Sequence, residues 1–127
     1  MHRIFLIFIL VILASCSDPR ASAKNRLKGL DTQALRFDAA KLYKQIYAAP
    51  GPDYFPIKQS QWPQTFSTLG PVSVSCHRDG ISVVLTDDPT HETGLHIQPL
   101  GISTPPSAAS IKFERIEEGI YWYSLSK

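Results

Sequence analysis

The densest group of metal-ligand side chains lies between Asp87 and His96, where Asp87, Asp88, His91, Glu92 and His96 fall close together. Carboxylates and imidazoles are good ligands for zinc and related ions, and a loop running into a strand could converge them. A metal-dependent hydrolase using His91, Glu92 and His96 is therefore one reading. The spacing argues against it. The zincin motif sets its histidines four apart on a helix so that both face the ion, whereas His91 and His96 stand five apart with Gly94 between them. A solvated loop with a surface histidine is the plainer expectation, and neither a metal nor another cofactor is expected in the domain.

Other catalytic patterns are weaker still. No serine sits in a Gly-x-Ser-x-Gly elbow. Cys76 and His77 are adjacent in a stretch of period two, so their side chains point to opposite faces and make a poor nucleophile–base pair. The carboxylate pairs Asp87-Asp88 and Glu117-Glu118 read as turn chemistry, since neighbouring side chains diverge, and the chain has no glycine-rich phosphate loop. The better site candidate is aromatic. In Ile120-Tyr121-Trp122-Tyr123, alternation puts Trp122 with Ile120 on one face and Tyr121 with Tyr123 on the other. One face must be core. The second is a candidate binding face for a sugar, a peptide or a protein surface, since tyrosine is enriched at interfaces; the plainer alternative is that both rings pack beneath the helix or tether.

The elements that must position these residues follow from hydrophobic period. Asp31 has the character of a helix N-cap, and Leu35, Ala39, Leu42 and Ile46 recur at helical spacing up to about Tyr47, before Pro50-Gly51-Pro52. Phe37, Tyr43 and Tyr47 widen the apolar side. The stretch Asp53 to Ile57 reads as irregular or a short edge strand because of Pro56, and Ser60 to Gly70 as a short helical segment. From Val72 the period becomes two. Val72, Val74 and Cys76 alternate with Ser73, Ser75 and His77, Asp79-Gly80 makes a tight turn, and Ile81, Val83 and Leu85 resume the pattern. Leu95 and Ile97 mark a third strand, Ile111 and Phe113 a fourth with a bend before Ile116, and Ile120 to Leu125 a fifth. The expected domain is α+β: an N-terminal amphipathic helix on an antiparallel meander of about five strands, a pattern that a sheet curled into a small barrel also fits.

The first residues have the three parts of an export signal: basic His2 and Arg3, an apolar run from Ile4 to Ala14 of 11 residues, and small residues after it. Such a run is too short to span a bilayer, which takes roughly 20 apolar residues. Leu13-Ala14-Ser15-Cys16 resembles the lipobox of bacterial lipoprotein precursors. That resemblance implies loss of residues 1–15 and a diacylglycerol and fatty acid (palmitate in type) on Cys16. It also implies a membrane anchor at the cell envelope, and Ser17 favours the outer membrane facing the periplasm in a Gram-negative host. An ordinary secretory signal cut near Ala14 is the alternative.

Residues 16–30 then read as a lipidated cysteine and a flexible basic tether, with Arg20, Lys24, Arg26 and Lys28 against Asp18, and residues 31–127 as a single globular domain. From Gly29 onward the chain carries eight basic and ten acidic side chains, which makes nucleic acid an unsuitable partner. With Cys16 lipidated, Cys76 is the remaining thiol, so no internal disulfide can form and burial of Cys76 is expected. The expectation for function is a non-catalytic binding or accessory module at the envelope, acting on a protein partner. An inhibitor or immunity protein against an envelope enzyme is the variant of that reading.

Overall fold

The computed structural model describes residues 19–48 and 51–127; the expected signal segment (1–15) and lipidation at Cys16 lie outside them. The class is α+β, but the finer expectations need correction. Helix α1 spans Pro19–Leu27, where a flexible tether was expected, so the amphipathic helix, α2 over Thr32–Ile46, is not the first of the fold. The physical reason is that α1 needs little apolar surface to dock: Ala23 and Leu27, one turn apart, are buried, and Arg26 Nη1 donates to the carbonyl of Leu69 at 3.1 Å. Two small contacts and a side-chain hydrogen bond leave no apolar period to detect. Arg20 adds an ion pair with Glu114.

Helix α2 begins where the sequence indicates, with the Asp31 carboxylate accepting from the backbone N–H groups of Gln33 and Ala34 at 3.0 and 3.1 Å. Leu35, Ala39 and Leu42 are buried against the sheet. Phe37 does not widen this face: it is 55% exposed, with Lys41 Nζ 5.7 Å from its ring centroid. Arg36 is buried instead.

Strands β1 (Tyr54–Ile57), β2 (Ser73–His77), β3 (Gly80–Asp87), β4 (His91–Ile97), β5 (Ile111–Glu117) and β6 (Ile120–Ser126) form one open antiparallel sheet. Between β1 and β2 a 3₁₀ turn, Gln59–Gln61, and helix α3, Gln64–Thr68, carry Phe66 into the core. The sheet has six strands rather than five because Tyr54–Ile57 pairs with β2, Pro56 being tolerated on an edge. It is not a plain meander either. Its order is β1-β2-β3-β4-β6-β5, so residues 98–110 carry the chain past the place of β6 and leave β5 at the far edge. It does not close into a barrel.

Arg36 holds this crossover. Its guanidinium donates to the carbonyls of Gln98, Pro99 and Ile102 at 3.0, 3.4 and 3.3 Å, and buried Gln98 in turn donates through Nε2 to Thr104. Helices and core residues Val74, Cys76, Ile81, Val83, Leu95, Ile97 and Ile120 all lie on one side of the sheet. Burying each such aliphatic side chain contributes roughly 1.5–3 kcal/mol. Among the described residues the other side carries no helix.

Candidate functional site

Alternation and register together decide what the uncovered face presents. Cys76 pairs with Ile81 and Ile81 with Ile97 on the helix side, so Ser75, Ser82, His96 and Tyr121, paired in sequence across β2, β3, β4 and β6, line the opposite side. The neighbouring row runs Ser73, Val84, Gly94, Tyr123 and Phe113. Tyr54 pairs with His77 at one edge, and Leu125 with Ile111 near the other. A hollow of about 240 Å³ occupies this face, and residues of both edge strands, Tyr54 of β1 and Ile111 and Phe113 of β5, line it. The sheet therefore curls far enough for its two edges to flank one cup.

The cup is built by close approaches across strands. Gly94 lies beneath Tyr123: a Cβ there would stand 3.0 Å from the ring's Cε1 and 2.2 Å from the Val83 carbonyl oxygen. Gly80 leaves the same kind of room for His96, whose Nε2 would be 2.7 Å from an added Cβ. His96 Nε2 is 3.2 Å from the carbonyl oxygen of Asp79. A carbonyl can only accept, so this nitrogen carries the proton. The His96 ring meets Phe113 edge-on at 5.4 Å, and His77 meets Tyr54 at 5.3 Å, so each imidazole props an aromatic wall. Tyr123, 3% exposed, forms floor, and its hydroxyl donates to Glu92 Oε2 at 2.8 Å.

Burial sets the charge states. It lowers the pKa of His77, against the opposing charges of Asp79 and Glu92, and lowers that of His96 against Asp79. Both rings are neutral at neutral pH. Burial, followed by the Glu92 hydrogen bond, raises the Tyr123 pKa and keeps its phenol protonated. Among the described residues Glu92 is the one formally charged side chain in the cup lining.

The structure distributes the sequence-derived candidates unevenly. Glu92 and His96 share the cup face but stand four positions apart on β4, about 13 Å along an extended strand. His91 points to the opposite side of that strand, its Nδ1 3.0 Å from the Thr90 hydroxyl. The three do not converge, and no group of three or more His, Cys, Asp or Glu side chains suited to a metal occurs among the described residues. Asp88 instead caps its own turn, accepting from the N–H groups of Thr90 and His91, both at 2.8 Å, which lowers its pKa. Asp87 pairs with Lys127. Tyr121 and Tyr123 do share a face as the alternation requires, but Tyr121 is half-buried beside His96 and Tyr123 is the floor of the cup.

Cys76 is buried on the helix side, where burial pushes its thiol up to about 11 despite a hydrogen bond with Tyr47. Ser75 Oγ lies 3.0 Å from His77 Nε2. Among the described residues no carboxylate or carbonyl bonds the other nitrogen of His77, so this contact lacks the group that would orient a general base. A second hollow, about 400 Å³, lies between α2 and β1, but its lining of Leu42, Gln45, Ile46, Phe55, Ile57 and Gln61 holds no titratable group. Tyr54, Phe113 and the polar alternation of Ser73, Ser75 and Ser82 are site residues that period alone marks only as the non-core side of their strands.

Compared with known protein families, with curated proteins and with solved structures, the chain matches none.

Proposed function

We propose that the chain is a small lipid-anchored envelope protein, held by Cys16, whose domain is a non-catalytic binding module for a protein partner. The observation that carries this reading is the uncovered cup, with aromatic walls, a hydroxyl-lined floor and neutral imidazoles that brace rings rather than activate a nucleophile. Aromatic anchors around a small desolvated hollow are the usual makings of an interface hot spot. The anchor itself rests on the lipobox resemblance. Because α1 begins at Pro19, lipid on Cys16 would hold the domain close to the membrane surface, with exposed Lys24 and Lys28 one turn apart on α1 and just past it, available to anionic head groups.

The test is capture from detergent-solubilised envelopes with the full chain and with Phe113→Ala. One protein held in stoichiometric amount by the wild type, and at least about 1 kcal/mol more weakly by the variant, is the expected result. Equal retention by a folded Phe113→Ala protein would remove the cup from the interface.

A further inference from the structure

We infer that the cup receives a basic side chain, lysine or arginine, presented by the protein partner. This rests on the binding reading above and names the chemistry of the occupant. Size is the first argument. A hollow of about 240 Å³ is smaller than the ~300–1,000 Å³ of ordinary small-molecule pockets and suits one long side chain. The second is the walls. Tyr54, Phe113 and Tyr123 bring three aromatic rings to one hollow, and the faces of such rings attract a cation within about 6 Å.

Charge is the third argument and it selects the occupant. Glu92 is a full negative charge in the lining, with no lysine or arginine beside it there. Its Oε2 accepts from Tyr123, and an ionised carboxylate has further lone pairs free to accept from an ammonium or guanidinium. The surrounding cations are engaged elsewhere: Lys127 is hydrogen-bonded to Asp87 and feels Glu92 only as a smaller, secondary charge, and Arg115 lies further along β5, opposite Tyr121. An acidic side chain entering the cup would meet Glu92, with no lysine or arginine among the described residues that line it. The hydroxyls of Ser75 and Ser82 offer acceptors for the remaining N–H groups.

The experiment is an NMR titration of the isotope-labelled full chain in a non-ionic maltoside detergent, which avoids the quaternary ammonium of zwitterionic ones. The probes are the blocked single residues N-acetyl-lysine, N-acetyl-arginine, N-acetyl-norleucine and N-acetyl-glutamate methylamides. Expected are shifts at Phe113, Tyr123 and His77 with the basic probes, at affinities about tenfold above norleucine, and none with glutamate. E92Q keeps an acceptor for the Tyr123 hydroxyl while removing the charge, and should erase the preference of lysine over norleucine. F113L keeps bulk but removes the ring, and should lower lysine binding about threefold while leaving norleucine unchanged. Norleucine binding as tightly as lysine would overturn the basic-side-chain inference and leave the cup as a binding site. Absence of shifts with every probe would overturn the inference, and the binding reading then stands or falls on the separate capture experiment.

Discussion

Arg36 ties helix α2 to the crossover of the sheet. It is 9% exposed on the sheet-facing helix and satisfies three carbonyls of the crossover that puts β5 outside β6. Removing it takes the side-chain donor from the Gln98 and Ile102 carbonyls, while Pro99 keeps the Ile102 N–H at 3.1 Å, so Arg36→Ala should cost about 1–3 kcal/mol in urea unfolding; a loss under 0.5 kcal/mol, roughly the size of a surface change, would mean that other contacts pin the crossover. His96 makes a second residue-scale prediction. Its folded pKa lies below the ordinary 6.5, so the unfolded chain binds the proton more readily and stability must fall as pH drops below that value. Between pH 7.5 and 5.5 the urea midpoint should decline, and His96→Gln should flatten the decline while His77, depressed in the same direction, retains its share. An unchanged slope in the variant would show that His96 is not the titrating group.

The elements show why a strand needs more than its pattern. Strand β4 reads His91-Glu92-Thr93-Gly94-Leu95-His96-Ile97, and its glycine would ordinarily weaken a strand. Here it is required, because any Cβ at position 94 collides with the Val83 carbonyl and with Tyr123. Gly94→Ala should therefore destabilise the protein by about 1–3 kcal/mol, as overpacking of a filled interior does, and shift the Tyr123 ring resonances. A neutral substitution would contradict the close approach. The edge strands differ in kind. β1 contains Pro56 and is four residues long, which blunts it against strand addition, while β5 is seven residues long and charged at Lys112, Glu114, Arg115 and Glu117.

For the whole molecule the geometry follows from the cup and from the anchor proposed at Cys16. One side of the sheet is committed to α1, α2 and α3, and among the described residues no element covers the cup on the other, the side to which the proposed partner is assigned. The anchor reading predicts that Cys16→Ser abolishes palmitate labelling and releases the chain from sedimented membranes while thermal stability of the domain is unchanged. Retention of label would refute acylation at Cys16. Among the described residues no helix is long and apolar enough to cross a membrane.

What the sequence determined by itself is local. The Asp31 cap, the β2–β3 hairpin (its turn one residue earlier than expected, at Arg78-Asp79, with Gly80 already paired to His77), the opposite facing of Cys76 and His77, and the placing of Tyr121 with Tyr123 on one face each depend on residues within a few positions. Period and turn chemistry act over that range, so they are legible. Tertiary structure alone decided the helix at Pro19–Leu27, the recruitment of Tyr54–Ile57 as a sixth strand, and the insertion of β6 between β4 and β5. Each depends on a partner far along the chain: Leu69 and Glu114 for α1, β2 for β1, and Arg36 for the crossover. The cup is a product of that long-range order, because its walls come from the two edges of the sheet, and no local pattern could have brought Tyr54 and Phe113 to one hollow.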